Sequence, residues 1–537
     1  MMSGDTLSDQ AIRFLKTSLK RCLDEHPECR QPATTYPTRL VRIEIPEDPA
    51  KYQECRIYLE ESSTSTNGPY FTLSHCWGGQ VPVQLTATSE PELRAGLRVH
   101  SLPKTFQEAV YVCQRLNVEY LWIDSLCIFQ DNIGDWAAEA GQMHQVYAHA
   151  QCNIAATGAS DSSAGLSFKR NDLAHQPFQI SLGTSKRRYW VSPFHWSSLT
   201  IMSSPLNRRA WVMQERFLSN RIIHFATSGV YWECREYQTV EAPLTSQRWG
   251  KALFMEDAQL KRALRFYRTR SSHPDLLDFI YALWQSKVKA YTECGITNEK
   301  DKLVALNGIT RQIYEHTGKS IVCGMWEDEL LQELLWEHNQ LSHKSIHPLA
   351  EWRAPSWSWA SADYELSGFA FPKDHGSCFN KRAVATVVKT DVDAEPSGQL
   401  RSASLTLRGK ILRATVRVIN PPTGEELTHG WKATLECSST KTCTLTTGMH
   451  AGLVLDTPPT LPFEGQITFV LLMTCDCRNR VFHRSKWPHR SMAALALRRL
   501  DTTPTTYCRL GVLTLRGKEC GFYTANESQI AEDLVIV

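Results

Sequence analysis

VEYLWIDSLCIFQDNIGDWAAEAGQMHQVYAHAQCNIAAT, residues 118–157, decides how the rest of the chain is read. Tyr120 to Ile123 is a short apolar run that stops at an acidic residue, Asp124. Its length and composition suit a buried strand. A polar loop follows, and from Asp135, a reasonable N-cap, the pattern becomes helical. Trp136, Ala140, Met143, Val146 and Tyr147 recur at the spacing of one buried helix face. A second apolar run, Cys152 to Thr157, closes the stretch. Strand, helix and strand in that order predict a βαβ unit, because parallel strands need a crossover. The polar residues gather where the first strand ends, the side on which open α/β sheets place their chemistry.

Upstream, YFTLSHCWGG (70–79) predicts a strand over Tyr70–Leu73, with Ser74, His75, Cys76 and Trp77 at its carboxyl end before a Gly78-Gly79 turn. Leu102-Pro103 opens a helix from Lys104 to about Leu116. Three strands and two helices then form a βαβαβ core, a parallel sheet with helices on its faces. His75 and Cys76 are neighbours, as a thiol nucleophile and its base would be, but consecutive side chains of an extended segment point apart. No direct dyad is expected.

Glu139 lies one turn into the 118–157 helix, beside the apolar stripe. By position alone it is a surface residue favoured by the helix dipole. The functional alternative is a carboxylate facing the cleft at the strand ends. Further on, LNRRAWVMQERFLSNRIIHF places Trp211, Gln214, Glu215 and Leu218 on consecutive turns of a helix, among Arg208, Arg209, Arg216 and Arg221. Such arginines suit phosphate or carboxylate recognition. Ion pairs within the protein, with Glu215 the obvious partner, are an equal alternative.

At 537 residues the chain exceeds one typical core. An N-terminal helix carries Ile12, Leu15, Leu19 and Leu23 on one stripe. Cys22, His26 and Cys29 follow at spacings that could converge on a metal, but a tetrahedral site needs a fourth ligand and none is near in sequence. Pro27 also ends the helix there. A packed helix end is therefore expected, and no metal is assigned. Thr38–Ile45 and Cys55–Leu59 read as paired strands, residues 252–337 as helical, and the chain beyond about Cys378 as short strands. The expected domains are 1–69, 70–225, 226–375 and 376–537.

A net charge of +3 gives no electrostatic case for nucleic acid or an anionic membrane. No run approaches the ~20 apolar residues of a membrane span, and the first thirty residues lack the apolar core of a signal peptide. Seventeen cysteines without a framework spacing suit a reducing, cytoplasmic or nuclear setting. Walker-type, Gly-x-Gly-x-x-Gly and His-Glu-x-x-His motifs are absent.

Taken together, YFTLSHCWGG, LPKTFQEAV (102–110), the 120–157 stretch and RRAWVMQERFLSNRIIHF (208–225) resemble the fungal heterokaryon incompatibility (HET) domain family. CLDEHPEC, DKLVALNGI (301–309), GMWEDELLQELLW (324–336) and APSWSWAS (354–361) resemble flanking blocks of its long members. The resemblance implies a role in recognising genetically different partners at cell fusion, with the domain as an effector of growth arrest or programmed cell death. Some members lie beside secondary-metabolism genes, so an accessory enzyme of such a pathway is another reading. The family is remotely similar to TIR domains, which implies an α/β fold with a flavodoxin-like core. Some TIR domains cleave NAD with a helix glutamate three residues after a tryptophan, and Trp136-x-x-Glu139 matches that spacing. Glu139 is thereby implied as a catalytic carboxylate, with NAD as substrate and no cofactor. Ser74 and Asp124, at adjacent strand ends, are the candidate cleft residues. By residue type, Arg208 or Arg209 suits the pyrophosphate and Trp77 a stacked ring. The main alternative is a non-catalytic module that forms a homo-oligomer or recruits a protein partner in incompatibility signalling.

Overall fold

In the computed structural model the 118–157 stretch is a strand, a short helix, a longer helix and a second strand. The structure describes residues 4–30, 35–63, 66–79, 83–170, 178–181, 188–191, 197–241, 256–269, 273–339, 351–369, 381–395, 397–419, 432–436, 442–446, 452–456, 463–477, 489–500, 505–516, 520, 524, 527–528 and 530–537. Two compact units are present: Met1–Arg265 with Cys294–Gln312, and Phe266–Glu293 with Ile313–Val537.

The first unit is built on a nine-stranded sheet. In chain order its strands are β1 (Arg39–Ile43), β2 (Arg56–Glu61), β3 (Tyr70–Ser74), β4 (Leu97–Arg98), β5 (Tyr120–Trp122) and β6 (Cys152–Ala155). A separate hairpin follows, β7 (Phe178–Ser181) and β8 (Arg188–Val191), before β9 (Arg221–Ala226), β10 (Gly229–Cys234) and β11 (Gln238–Val240) complete the sheet. The spatial order is β11-β10-β9-β6-β3-β5-β1-β2-β4. Pairing is parallel within β5-β3-β6-β9 and antiparallel outside it. Every residue of β3, β6 and β9 is buried, as expected of parallel strands covered on both faces.

Helices α1 (Asp9–Glu25), α2 (Glu90–Ala95), α3 (Lys104–Arg115), α4 (Asp124–Cys127) and α5 (Ile133–His149) belong to this unit. The chain leaves β3 through α3 to β5 on one side, then returns through α5 to β6 on the other. This is the 2-1-3-4 order of flavodoxin-type sheets, and the connections diverge between β3 and β6. Ser74 and Ala155, paired across those two strands, mark that switch point.

Two helix details differ from the sequence reading. The N-cap of α5 is Asn132, whose Oδ1 accepts from the N–H groups of Gly134 (3.0 Å) and Asp135 (3.1 Å). Asp135 is drawn instead into an ion pair with Arg39. In α1 the inner face runs through Leu15 and Leu19 to Cys22, and Leu23 is exposed. Among the described residues, no helix is long and apolar enough to cross a membrane.

The second unit is β-rich, with an eleven-stranded and mostly antiparallel sheet. Leu412, Ala414, Val416, Ile467, Phe469 and Leu513 fill one of its apolar clusters. Arg509, on the strand Thr506–Arg516, is buried and grips Asp456 by two hydrogen bonds of 2.7 and 3.0 Å. It also donates to the carbonyls of Leu334 and Trp336 and lies 3.5 Å from the Trp336 ring centroid. Arg509→Ala leaves Asp456 and two carbonyls without their donor, an expected loss of roughly 3–5 kcal/mol in chemical denaturation. Arg509→Lys keeps the charge but not the planar fork, so an intermediate loss is expected. Equal midpoints for Arg509→Lys and the natural protein would refute the role of the fork.

Candidate functional site

The carboxyl ends of β3 and β6 hold a buried polar cluster. Ser74, the last residue of β3, hydrogen-bonds through its hydroxyl to Glu215 Oε2 at 2.5 Å. Asn153 of β6 donates to the same hydroxyl at 2.9 Å and accepts from Thr72 at 3.0 Å. Glu215 comes from the helix Ala210–Leu218, which lies on the crossover from β6 to β9. The Tyr147 hydroxyl, from α5, is hydrogen-bonded to both Ser74 and Glu215. Three segments that are distant in sequence thus meet on one carboxylate.

Glu215 is only 4% exposed. Burial pushes its pKa up to about 7, against the opposing pull of the Arg209 cation and the Ser74 hydrogen bond. A carboxyl group balanced near neutrality inside a cluster of hydroxyls is the environment in which proton transfer is efficient. Burial also pushes the Tyr147 phenol well above its ordinary range, so it stays a neutral donor.

Asp124 stands beside this cluster at the end of β5. Its Oδ2 accepts from the Trp77 indole at 2.9 Å and its Oδ1 from the Ser125 N–H at 2.7 Å. The Asp124 side chain keeps 20% of its surface exposed, and Trp77 is half-buried. These two therefore face outward where Ser74 and Glu215 do not. Gly78 follows Trp77 with φ +72, and a Cβ there would come within 2.6 Å of Asp161 Cβ, so only glycine fits that turn.

His75 is 2% exposed, and neither ring nitrogen has a hydrogen-bond partner. Its Nδ1 lies 3.8 Å from Asp124 Oδ1 and its ring packs edge-on against Phe106. Burial lowers its pKa to about 4, which leaves it neutral at physiological pH. Arg209 donates to the His75 carbonyl, which holds the guanidinium at the end of β3. Cys76 packs among Ala155, Leu206, Val212 and Ile222, and burial raises its pKa. It behaves as a core residue rather than an activated thiol.

Glu139 is neither on the surface nor free. It is 4% exposed, lies 3.5 Å from Arg39 Nη2, and is hydrogen-bonded by the Thr38 hydroxyl. Burial raises its pKa, with Thr38 and Arg39 opposing. The same Arg39 holds both Asp135 oxygens, at 2.6 and 2.7 Å, and donates to the Cys127 carbonyl at 2.7 Å.

The four arginines around the Ala210–Leu218 helix do not converge. Arg208 is exposed, and its carbonyl accepts from the Gly295 N–H at 2.7 Å. Arg216 is buried against Glu233 at 3.1 Å, and Arg221 points to Cys22 and Cys29. Only Arg209 reaches the Ser74–Glu215 cluster. Of the two alternatives for these arginines, an internal ion pair holds for Arg216 with Glu233, while Glu215 is instead hydrogen-bonded to Ser74 and Tyr147. The signal in sequence was spacing, since Glu215 shares a helix face with Trp211 and Leu218, four residues before and three after it. The importance of Tyr147 and Asn153 had no such signal, because both sit at ordinary core positions.

Fold and site together define a doubly wound α/β protein with buried, titratable groups at its switch point. Residues 70–215 match the family model described as heterokaryon incompatibility protein (HET), and the chain carries a HET domain there. That segment begins with the first residue of β3 and ends at Glu215. No curated protein and no solved structure matches the chain. The domain connects the protein to heterokaryon incompatibility.

Proposed function

We propose that this HET-domain protein is an effector of fungal non-self recognition that acts by hydrolysing NAD, with growth arrest or cell death as the outcome. Support comes chiefly from one observation: a buried carboxylate, Glu215, is hydrogen-bonded to Ser74 at the switch point, beside the partly exposed Asp124 and Trp77.

In the proposed reaction the bond between ribose C1′ and the nicotinamide nitrogen breaks, and its electron pair leaves with nicotinamide. Water adds to C1′, giving ADP-ribose, and one proton is released. Asp124 stabilises the positive charge that develops on the sugar, and the Trp77 indole N–H fixes the orientation of that carboxylate. The released proton passes through the Ser74 hydroxyl to Glu215. Arg209, at the end of β3, is suited to the pyrophosphate. Glu139 is assigned the structural role of pairing with Arg39, since its carboxylate lies against that guanidinium rather than in the Ser74–Glu215 cluster.

The test is NAD consumption by the purified full-length protein and by cells induced to express it. Asp124→Asn is expected to lower the rate roughly 100- to 1,000-fold, as removal of an electrostatic stabiliser does. Glu139→Gln is expected to retain most of the activity. Loss of activity in Glu139→Gln with unchanged thermal stability, beside an active Asp124→Asn, would return the catalytic role to Glu139. Cells that arrest with their NAD intact would refute hydrolysis and favour an oligomerising signalling module.

A further inference from the structure

Helix α1 ends at Glu25, and Pro27 turns the chain through His26 into a single 3-10 turn, Pro27–Cys29. That reversal brings Cys22, His26 and Cys29 together. Cys234, the last residue of β10, completes the group from the far side of the sequence. The three sulfurs and a His26 ring nitrogen all lie within 4.8 Å of one another, and all four residues are buried. His26 Nδ1 and Cys234 Sγ are 3.4 Å apart. A tetrahedral zinc ion, with bonds of about 2.3 Å to sulfur and 2.0–2.1 Å to nitrogen, spaces a sulfur and a nitrogen by about 3.5 Å. The fourth ligand that is lacking nearby in sequence is thus present in space.

A second observation points to charge at these sulfurs. Arg221 is 2% exposed, with its Nε 3.1 Å from Cys22 Sγ. Its other donors reach the Cys29 carbonyl at 2.7 Å and the Gln151 carbonyl at 3.1 Å. None of these partners is a carboxylate. Facing neutral thiols, this buried guanidinium would be an uncompensated charge. Three thiolates around one dication carry a net charge of minus one, which Arg221 balances while its N–H orients a ligand sulfur. The Arg235 backbone N–H also hydrogen-bonds the Cys29 sulfur.

We propose that Cys22, His26, Cys29 and Cys234 bind one zinc ion in a closed structural site that fastens the end of α1 to β10. Soft thiolate ligands select zinc over magnesium or calcium, and four protein ligands leave no open position for catalysis. The ligands flank the 70–215 segment on both sides, so the ion ties together two segments outside the HET match.

The test is elemental analysis of the full-length protein purified without chelator, followed by cobalt(II) substitution. About one zinc per chain is expected, and cobalt in its place should show thiolate charge-transfer and strong tetrahedral absorption. Cys234→Ser is expected to lower bound zinc tenfold or more, and His26→Cys to retain it. Zinc content unchanged by Cys234→Ser would overturn the assignment. So would a natural protein that carries no zinc and shows no thiolate–cobalt absorption, a readout that stands even if the variants fail to fold. Stripping the metal with a chelator should lower the thermal midpoint, and an unchanged midpoint would overturn the structural role.

Discussion

Glu215→Gln is expected to lower NAD turnover roughly 100- to 10,000-fold, the range for loss of a general base. Glutamine has the shape of glutamate and keeps an oxygen for the Ser74 hydroxyl, so the cluster survives while its proton acceptor is lost. In the natural protein the rate should rise with pH through about 7, as Glu215 ionises, and the variant's residual rate should lack that rise. Stability should move the opposite way. The folded-state pKa is raised from 4.5 to about 7, so the folded protein holds a proton that the unfolded chain releases. The stabilisation is complete below pH 4.5 and is lost as pH rises through about 7. At about 1.4 kcal/mol per pKa unit, the swing is on the order of 3 kcal/mol. His75 contributes with the opposite sign, because its pKa is lowered and its protonation opposes folding in acid. The difference between natural protein and variant, measured by denaturation across this range, isolates Glu215. A difference curve that stays flat would remove the buried, neutral carboxyl from the account.

Arg39→Ala is expected to cost roughly 3–5 kcal/mol, the penalty for leaving buried charges without their partner. Arg39 joins three pieces of the domain: β1 carries it, the Cys127 carbonyl ends α4, and Asp135 and Glu139 lie on the first turns of α5. Its removal strands two carboxylates one helical turn apart. Glu139→Gln alone should cost far less, because Asp135 still holds the guanidinium at 2.6 Å. Combining the two substitutions should recover part of the Arg39→Ala loss, since one stranded charge is gone. Denaturation of the four proteins measures that coupling. Strict additivity would show that Arg39 and Glu139 do not interact, and the enclosed carboxylate would need another explanation.

Much of the core was legible from periodicity. Tyr70–Ser74, Tyr120–Trp122 and Cys152–Ala155 form where short apolar runs predict strands, and α3 and α5 connect them where helical spacing predicts it. That Ser74, Trp77 and Asp124 gather at neighbouring strand ends was legible too, because polar residues collect there in such sheets. Glu139 was harder. A first-turn glutamate reads as solvent-facing, yet the structure buries it against Arg39, on a strand about a hundred residues earlier.

Local pattern therefore determined the elements, their type and the end of the sheet at which polar groups collect, because backbone geometry within ten to twenty residues sets hydrophobic period. Strand order, and with it the meeting of Ser74, Tyr147, Asn153 and Glu215, was decided only in three dimensions. The same holds for Cys234 joining Cys22, His26 and Cys29. Burial and charge pairing arise between segments far apart in the chain, and no periodicity within either segment encodes its partner.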